Sequence, residues 1–482
     1  MNIAGSYKIY AERFAERTAL RFKDETYSYR EWHAAVSQTA GWLAAYDDPK
    51  KRIGILLNNG PLFLQLFAGA AAAGWTAVPL DPKWKPREMR ERLEATGVSF
   101  VVTAAILSEK FIDLPVSVIH EDDCKKQMLE ASAVDALEDA DKMPFYMGFT
   151  SGTTGRPKAF LRAHDSWVNS FRCNIEDFHL PPAAKVLIPG QLIHSHFLYG
   201  AVSTLYFGGT VVLLEKFNAG RVLDELERGT ADTVFTVPTM NEALGREQRT
   251  LERRFRIISS GAKWQAASKQ RLKDRFPGLQ LYEFYGASEL SFVSYLSGDD
   301  HQRKPKSVGK PFHNVLLEIR NNDRTCAPFE RGKIFVKSDM TFLGYLGEHR
   351  EPPQDGWHTV DDIGYLDEDG YLYIEGRENM MILYGGINVF PEEVETVLQA
   401  HPDIEEAAVI GTTDDYWGQL VTAVVKGEGT RRSLQAWCKQ RLSAYKIPRR
   451  WHFVDELPHT PGGKIDRRRL AALVESEVSE HA

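Results

Sequence analysis

The sequence predicts an α/β protein: a large N-terminal domain of two α/β layers with a small antiparallel β unit, followed by a small α+β C-terminal domain. Three observations carry this reading. Short apolar runs alternate with helical segments in β-α-β order, and the pattern recurs downstream. From Gly309 to Ile374 the texture changes to strand-like segments divided by turn residues. Glu375-Gly-Arg-Glu-Asn379 then separates a last stretch of about 100 residues, enough for a small domain. The boundary is placed between residues 378 and 379, giving domains 1–378 and 379–482.

The elements follow in order. Arg52 to Asn58 is a short apolar run, read as a buried strand. Pro61 stands where a helix starts, because its missing N–H costs nothing in the first turn, and Leu62 to Ala73 continue that helix. Ala77-Val-Pro-Leu80 reads as a strand, Arg87 to Ala95 as a helix and Val98 to Val102 as a third strand. The second layer reads from Asp232 to Val237, Met240 to Leu244, Phe255 to Ser259 and Leu279 to Phe284. Leu316 to Arg320 and Gly332 to Val336 are strands of the antiparallel unit. In the last domain, Pro391 to Ala400 and Leu434 to Leu442 are helices, and Ile404 to Ile410 and Leu420 to Val425 are strands.

Composition narrows the function classes. The 482 residues carry a net charge of −7, which argues against nucleic acid as a bulk electrostatic partner. Basic runs such as Arg249 to Arg256 and Arg467-Arg-Arg469 are read as solvated helix faces. Cys124, Cys173, Cys326 and Cys438 are scattered without a C-x-x-C pair, which speaks against a zinc or disulfide framework and fits a reducing, cytoplasmic setting. The N-terminus lacks a continuous apolar stretch of signal-peptide type. The most apolar segment, Leu62 to Leu80, is interrupted by Gln65, Gly69, Gly74, Thr76 and Pro79, so no membrane span is expected.

Two loops carry the chemistry. Thr150-Ser-Gly-Thr-Thr-Gly-Arg-Pro-Lys158 combines hydroxyl donors (Thr150, Ser151, Thr153, Thr154), two permissive glycines (Gly152, Gly155) and a terminal cation. Such a loop brings backbone N–H groups close to phosphate oxygens. It is not a Walker loop: two residues, not four, separate the glycines, and Arg-Pro precedes Lys158. Thr460-Pro-Gly-Gly-Lys464 offers a second lysine on a loop tip. Two lysines in separate domains point to the handling of a nucleoside triphosphate.

With these loops on the page, the chain resembles the adenylate-forming superfamily of acyl-CoA synthetases, carrier-loading adenylation domains and luciferase, over nearly its whole length. Thr150 to Lys158 matches the phosphate loop, Tyr282 to Glu289 the Tyr-Gly-x-Thr-Glu segment, and Trp357 to Asp362 the Thr-Gly-Asp segment. Tyr373-Ile-Glu-Gly-Arg377 with Gly385-Gly-Ile-Asn388 matches the hinge region, and Pro458 to Lys464 the terminal catalytic loop. The resemblance implies an ATP-dependent acid:CoA ligase. A carboxylate attacks the α-phosphate of ATP to give an acyl-adenylate, and a thiol then displaces AMP. The acceptor is coenzyme A or, in the alternative reading, the phosphopantetheine of a separate carrier protein.

The same resemblance implies residue roles. Lys464 bridges carboxylate and α-phosphate, while Lys158 and a Mg²⁺ held by Glu289 take the leaving pyrophosphate. Tyr285 stacks on adenine, with Gly286 and Ser288 beside it, and Ser260-Gly261-Ala262 approaches the adenine edge. Asp362 accepts the ribose hydroxyls, and Arg377 adds a cation near sugar or phosphate. Asn379 is the pivot about which a mobile C-terminal domain turns, and Gly385 and Gly386 line the pantetheine tunnel. The chain departs from the family at Ala159, at Asp361 (Gly elsewhere), at Ser288 (more often Thr), and at Asn379-Met380 in place of two acidic residues. The acyl pocket falls in Leu192 to Gly200, where His194, His196 and Phe197 all qualify. That segment has no carboxylate to pair an ammonium, which points to an apolar fatty or aromatic acid.

Overall fold

Parallel strands joined by helices dominate the first half of the chain, as the β-α-β runs require. The computed structural model describes residues 1–482 except 85, 109–115, 151–157, 262–263, 265, 323, 348–352, 354, 378–379, 385–386, 415–416, 443, 461–462 and 481–482. The described strands form four sheets. A seven-stranded sheet runs in the order Gly344–Tyr345, Lys158–Ala163, Pro144–Thr150, Thr76–Pro79, Arg52–Leu56, Phe100–Thr103 and Ser117–His120. A nine-stranded sheet places Lys185–Ile188, Thr233–Thr236, Phe255–Ser259 and Leu279–Ala287 side by side and parallel, then adds Ser291–Ser297 antiparallel. These are the two α/β layers.

Each layer has its own core. Leu56, Val78, Leu93, Val101 and Met147 pack together in the first. Leu187, Val222, Val234, Ile257 and Leu281 do so in the second. Each such side chain removed from water contributes about 1.5–3 kcal/mol, enough to explain why the central strands are apolar on both faces. The helix Pro61–Ala72 begins on its proline as expected. It leaves room for a close neighbour at Gly69, where a Cβ would lie 2.4 Å from a Thr39 methyl.

By its contacts the chain divides into two units. One contains Met1–Gly152, Arg156–Leu317 and Val336–His358; the other is chiefly Glu318–Phe335 and Thr359–Ala482. The small sheet, with Asp362–Leu366 antiparallel to Leu372–Arg377, therefore groups with the C-terminal segment. That segment contains a long hairpin, Ile404–Asp414 against Gly418–Gly427, flanked by Pro391–Gln399 and Arg431–Lys439.

Among the described residues, desolvation holds His164, His196 and His301 in neutral form. Burial pushes His164 and His301 down to about 3 and His196 to about 4. The unfolded chain takes up these protons near pH 6.5. Their contribution is therefore complete above that pH and is lost as pH falls toward 4. Between pH 7 and pH 5 each should cost on the order of 1–2 kcal/mol. Thermal melts should thus drop steeply over this interval, and His196→Asn should flatten the slope. A slope unchanged by that substitution would contradict the assignment.

Candidate active site

The strands Pro144–Thr150 and Lys158–Ala163 are antiparallel, and Thr150 pairs with Lys158 in register. The expected phosphate loop therefore springs from the end of a two-stranded ladder. Ser151, Gly152, Thr153, Thr154 and Gly155 lie outside the described residues. Lys158 is half-buried, its Nζ 4.9 Å from the centroid of the Tyr345 ring. The Tyr345 hydroxyl donates to Glu289 Oε1 at 2.6 Å. One tyrosine thus touches both the lysine and the carboxylate that the sequence singled out.

Glu289 sits on a tight turn between two strands. Leu279–Ala287 and Ser291–Ser297 are antiparallel, with a register shift between Tyr285 and Gly286. A Cβ on Gly286 would stand 2.1 Å from the Ser291 carbonyl oxygen, so the bulge admits only glycine without movement. Ser291 itself lies at φ +63°. The turn is held from outside at three points: Phe342 N–H donates to the Glu289 carbonyl at 2.9 Å, Tyr345 to its side chain, and Arg162 Nη1 to the Ser288 carbonyl at 3.3 Å. Burial lowers the Arg162 pKa to about 10.

The residues expected beside adenine lie where two strands end. Ser260 follows the strand Phe255–Ser259, and its hydroxyl donates to the Phe284 carbonyl at 2.9 Å, tying this end to the strand that carries Tyr285. Gly261 lies at φ +106°, a conformation few other residues adopt, which lets the chain turn away. Tyr285 is half-buried, as a stacking face must be. Ala262 lies outside the described residues.

The three pocket candidates separate by environment. Phe197 is buried, its ring so close to Gly190 that a Cβ there would collide at 2.1 Å. His196 Nε2–H donates to the Thr236 carbonyl at 2.9 Å, which fixes its tautomer; the ring packs against Phe197, Phe235 and Phe284. Nδ1 has no partner among the described residues. His194 precedes the helix Ser195–Tyr206, and burial lowers its pKa. The residues around His196 are aromatic, in keeping with an apolar acyl group.

In the second unit, Asp362 is buried at the start of its strand and pairs in register with Arg377. Asp361, where glycine is usual, lies at φ +62°, and its carboxylate is 3.0 Å from Lys333 Nζ. This is the left-handed backbone that a glycine would adopt freely, and aspartate is one of the few other residues that tolerate it. Asp361→Gly should therefore change stability by less than about 1 kcal/mol, the freed backbone strain and the lost surface ion pair offsetting each other. Asp361→Val should cost on the order of 2 kcal/mol. Urea unfolding midpoints check this, and equal effects from both variants would contradict it.

Lys464 ends a small hairpin. The Thr460 N–H donates to the Lys464 carbonyl at 2.7 Å, Lys464 N–H to the Thr460 hydroxyl at 3.2 Å, and Gly463 turns at φ +76°. The following helix, Arg467–Glu480, is anchored by Arg467, which donates to the Val409 carbonyl at 2.6 Å and to Glu395 at 2.8 Å. Arg467 is thus a half-buried structural residue and not part of a solvated face. Its anchor holds the hairpin base while the Lys464 side chain stays exposed. Asn379, Gly385 and Gly386 lie outside the described residues.

Tyr345 and Arg162 were not anticipated. Tyr345 lies on a two-residue strand 56 positions from Glu289, too short for any periodicity. Arg162 did leave a signal: beyond Lys158, it is a charge among the apolar residues of the strand Lys158–Ala163.

Residues 8–346 match the family model of the AMP-binding enzymes, and residues 393–464 match that of the AMP-binding enzyme C-terminal domain. The chain belongs to the AMP-binding enzyme family. It is 51% identical to the uncharacterized acyl–CoA ligase YhfT of Bacillus subtilis, over 99% of each chain. Its fold matches o-succinylbenzoate CoA synthetase (MenE) from Bacillus subtilis in complex with the acyl-adenylate intermediate OSB-AMP, with a TM-score of 0.89, 28% identity and 97% of each chain covered. The same enzyme in complex with ATP and magnesium ion also gives a TM-score of 0.89 at 28% identity, covering 97% of this chain and 99% of that one. Among the described residues no helix is long and apolar enough to cross a membrane.

Proposed function

We propose that this protein is an ATP-dependent carboxylic acid:CoA ligase that makes an acyl-adenylate and then an acyl-CoA thioester from a fatty or aromatic acid. The observation that supports this reading is the Tyr345 side chain, which touches both a cation, Lys158, and a hard carboxylate, Glu289.

In the first step a carboxylate oxygen of the acid bonds to the α-phosphorus, and the bond to the bridging oxygen breaks to release pyrophosphate. Two anions must meet, so positioning and charge neutralisation dominate the rate. Lys464 supplies charge at the carboxylate and α-phosphate, and Lys158 at the departing phosphates. Glu289, with ATP phosphates and water, fits a Mg²⁺, which usually takes one or two protein carboxylates and would neutralise phosphate charge. Tyr285, Gly286, Ser288, Ser260, Gly261 and Ala262 hold adenine; Asp362 and Arg377 hold ribose; and Thr150 to Gly155 cradle phosphate.

In the second step the thiol sulfur of coenzyme A bonds to the acyl carbon, and the carbon–oxygen bond to AMP breaks. Residues 1–378 and 379–482 act as the two functional domains, with Asn379 as pivot and Gly385 and Gly386 along the pantetheine path. A cytoplasmic reaction is in keeping with the free cysteines Cys124, Cys173, Cys326 and Cys438.

His194, His196 and Phe197 form the acyl side. An α-amino acid would bring an ammonium whose burial without a partner costs several kcal/mol, on the order of 3–5. Phenylpropionate should therefore support pyrophosphate release at least about tenfold better than phenylalanine at equal concentration with saturating ATP and Mg²⁺. Preference for the amino acid would move the chain to the amino-acid-activating branch.

A further inference from the structure

We propose that Arg162 is a positioning residue for the metal-binding carboxylate: a buried cation that fixes the turn carrying Glu289 and so sets how tightly ATP is held with Mg²⁺. The proposal rests on the assignment of Glu289 and Lys158 to the ATP site.

Arg162 is 2% exposed. Arginine is almost never buried to that degree unless its charge is matched. Among the described residues its one hydrogen bond runs from Nη1 to the Ser288 carbonyl, and Nε has no partner. Packing alone would be served better by an apolar side chain, which needs no desolvation. The guanidinium stays charged, so its field must act on something. Among the described residues the carboxylates that act on it are Glu289 and Asp165, and its hydrogen bond ends on Ser288, the residue before Glu289. Asp165 is already engaged by Lys142. Glu289 is therefore the group that Arg162 serves.

The geometry supports the same conclusion. Lys158, Phe160 and Arg162 alternate along one strand and share a face. The segment bearing Phe342 and Tyr345, which grips Glu289, is itself hydrogen-bonded to that strand: Leu343 N–H donates to the Leu161 carbonyl at 2.9 Å and Leu346 N–H to the Ala159 carbonyl at 2.8 Å. One strand thus supplies the phosphate lysine and, through Arg162, one of the three clamps on the metal-site turn.

The test is equilibrium ATP binding, read as a thermal-melt shift at fixed ATP while Mg²⁺ is varied. It uses the full chain carrying Arg162→Met or Arg162→Lys, each alone and combined with Glu289→Gln. Arg162→Met should raise the half-saturating Mg²⁺ at least about tenfold, with Arg162→Lys between it and the wild type. In the Glu289→Gln background the Arg162 substitutions should add less than about twofold, because both act through one group. An unchanged Mg²⁺ midpoint in a folded Arg162 variant would overturn the proposal, as would full additivity with Glu289→Gln. Should Arg162→Met fail to fold, the lysine variant and its cycle decide the matter alone. A wild type whose ATP binding ignores Mg²⁺ would refute the ATP-site assignment itself, and the proposal with it.

Discussion

Lys464→Ala should reduce acid-dependent pyrophosphate release by about 10²–10³-fold, the range typical for loss of a group that stabilises transition-state charge. The lysine is exposed and closes a hairpin held by backbone and hydroxyl bonds to Thr460, by the turn at Gly463 and by the Arg467 anchor. The melting temperature should therefore stay within about 2 °C of wild type, as expected for a surface substitution. Thioester formation from a pre-made acyl-adenylate should be largely retained, because the charge is needed only while two anions approach. Stopped-time assays of the two half-reactions decide this. Equal loss in both would remove Lys464 from the role assigned to it.

Glu289→Gln should reduce pyrophosphate release by at least about a hundredfold at millimolar Mg²⁺. Glutamine keeps the shape and can still accept the Tyr345 hydroxyl, so the turn should persist. What it loses is the negative charge that a hard cation requires. Part of the activity should return as Mg²⁺ is raised, since the ATP phosphates still contribute ligands. A variant with wild-type activity and unchanged Mg²⁺ dependence would exclude Glu289 as the metal carboxylate.

Much of this protein was legible in its sequence, and the reasons are physical. A buried parallel strand must be apolar on both faces, so Arg52–Leu56, Thr233–Thr236 and Phe255–Ser259 announce themselves as short apolar runs. Pro61 and Pro391 mark helix starts because proline fits the first turn. Lys158, Glu289, Asp362 and Lys464 stood out as candidates because each sits in a local motif, with the proposed chemistry written in adjacent residues. Tyr345 and Arg162 act through side-chain hydrogen bonds to residues 56 and 126 positions away, and no local pattern encodes such contacts. The same applies to the pocket: nothing in Leu192 to Gly200 foretells that His196 turns its Nε2 to a backbone carbonyl 40 residues away. Asp361 is instructive in another way. The sequence marks it only as a departure from glycine, whereas the structure places it at a positive φ, the conformation that glycine adopts most freely.

The most direct test of the central assignment is a single incubation of the full chain with ATP, Mg²⁺, coenzyme A and a panel of aliphatic and aromatic monocarboxylates, with nucleotides and thioesters read by mass spectrometry. The assignment predicts AMP and pyrophosphate in amounts matching one acyl-CoA thioester, formed only when an acid is present. ADP as the nucleotide product, or AMP released from adenylate without any thioester to coenzyme A, would contradict it.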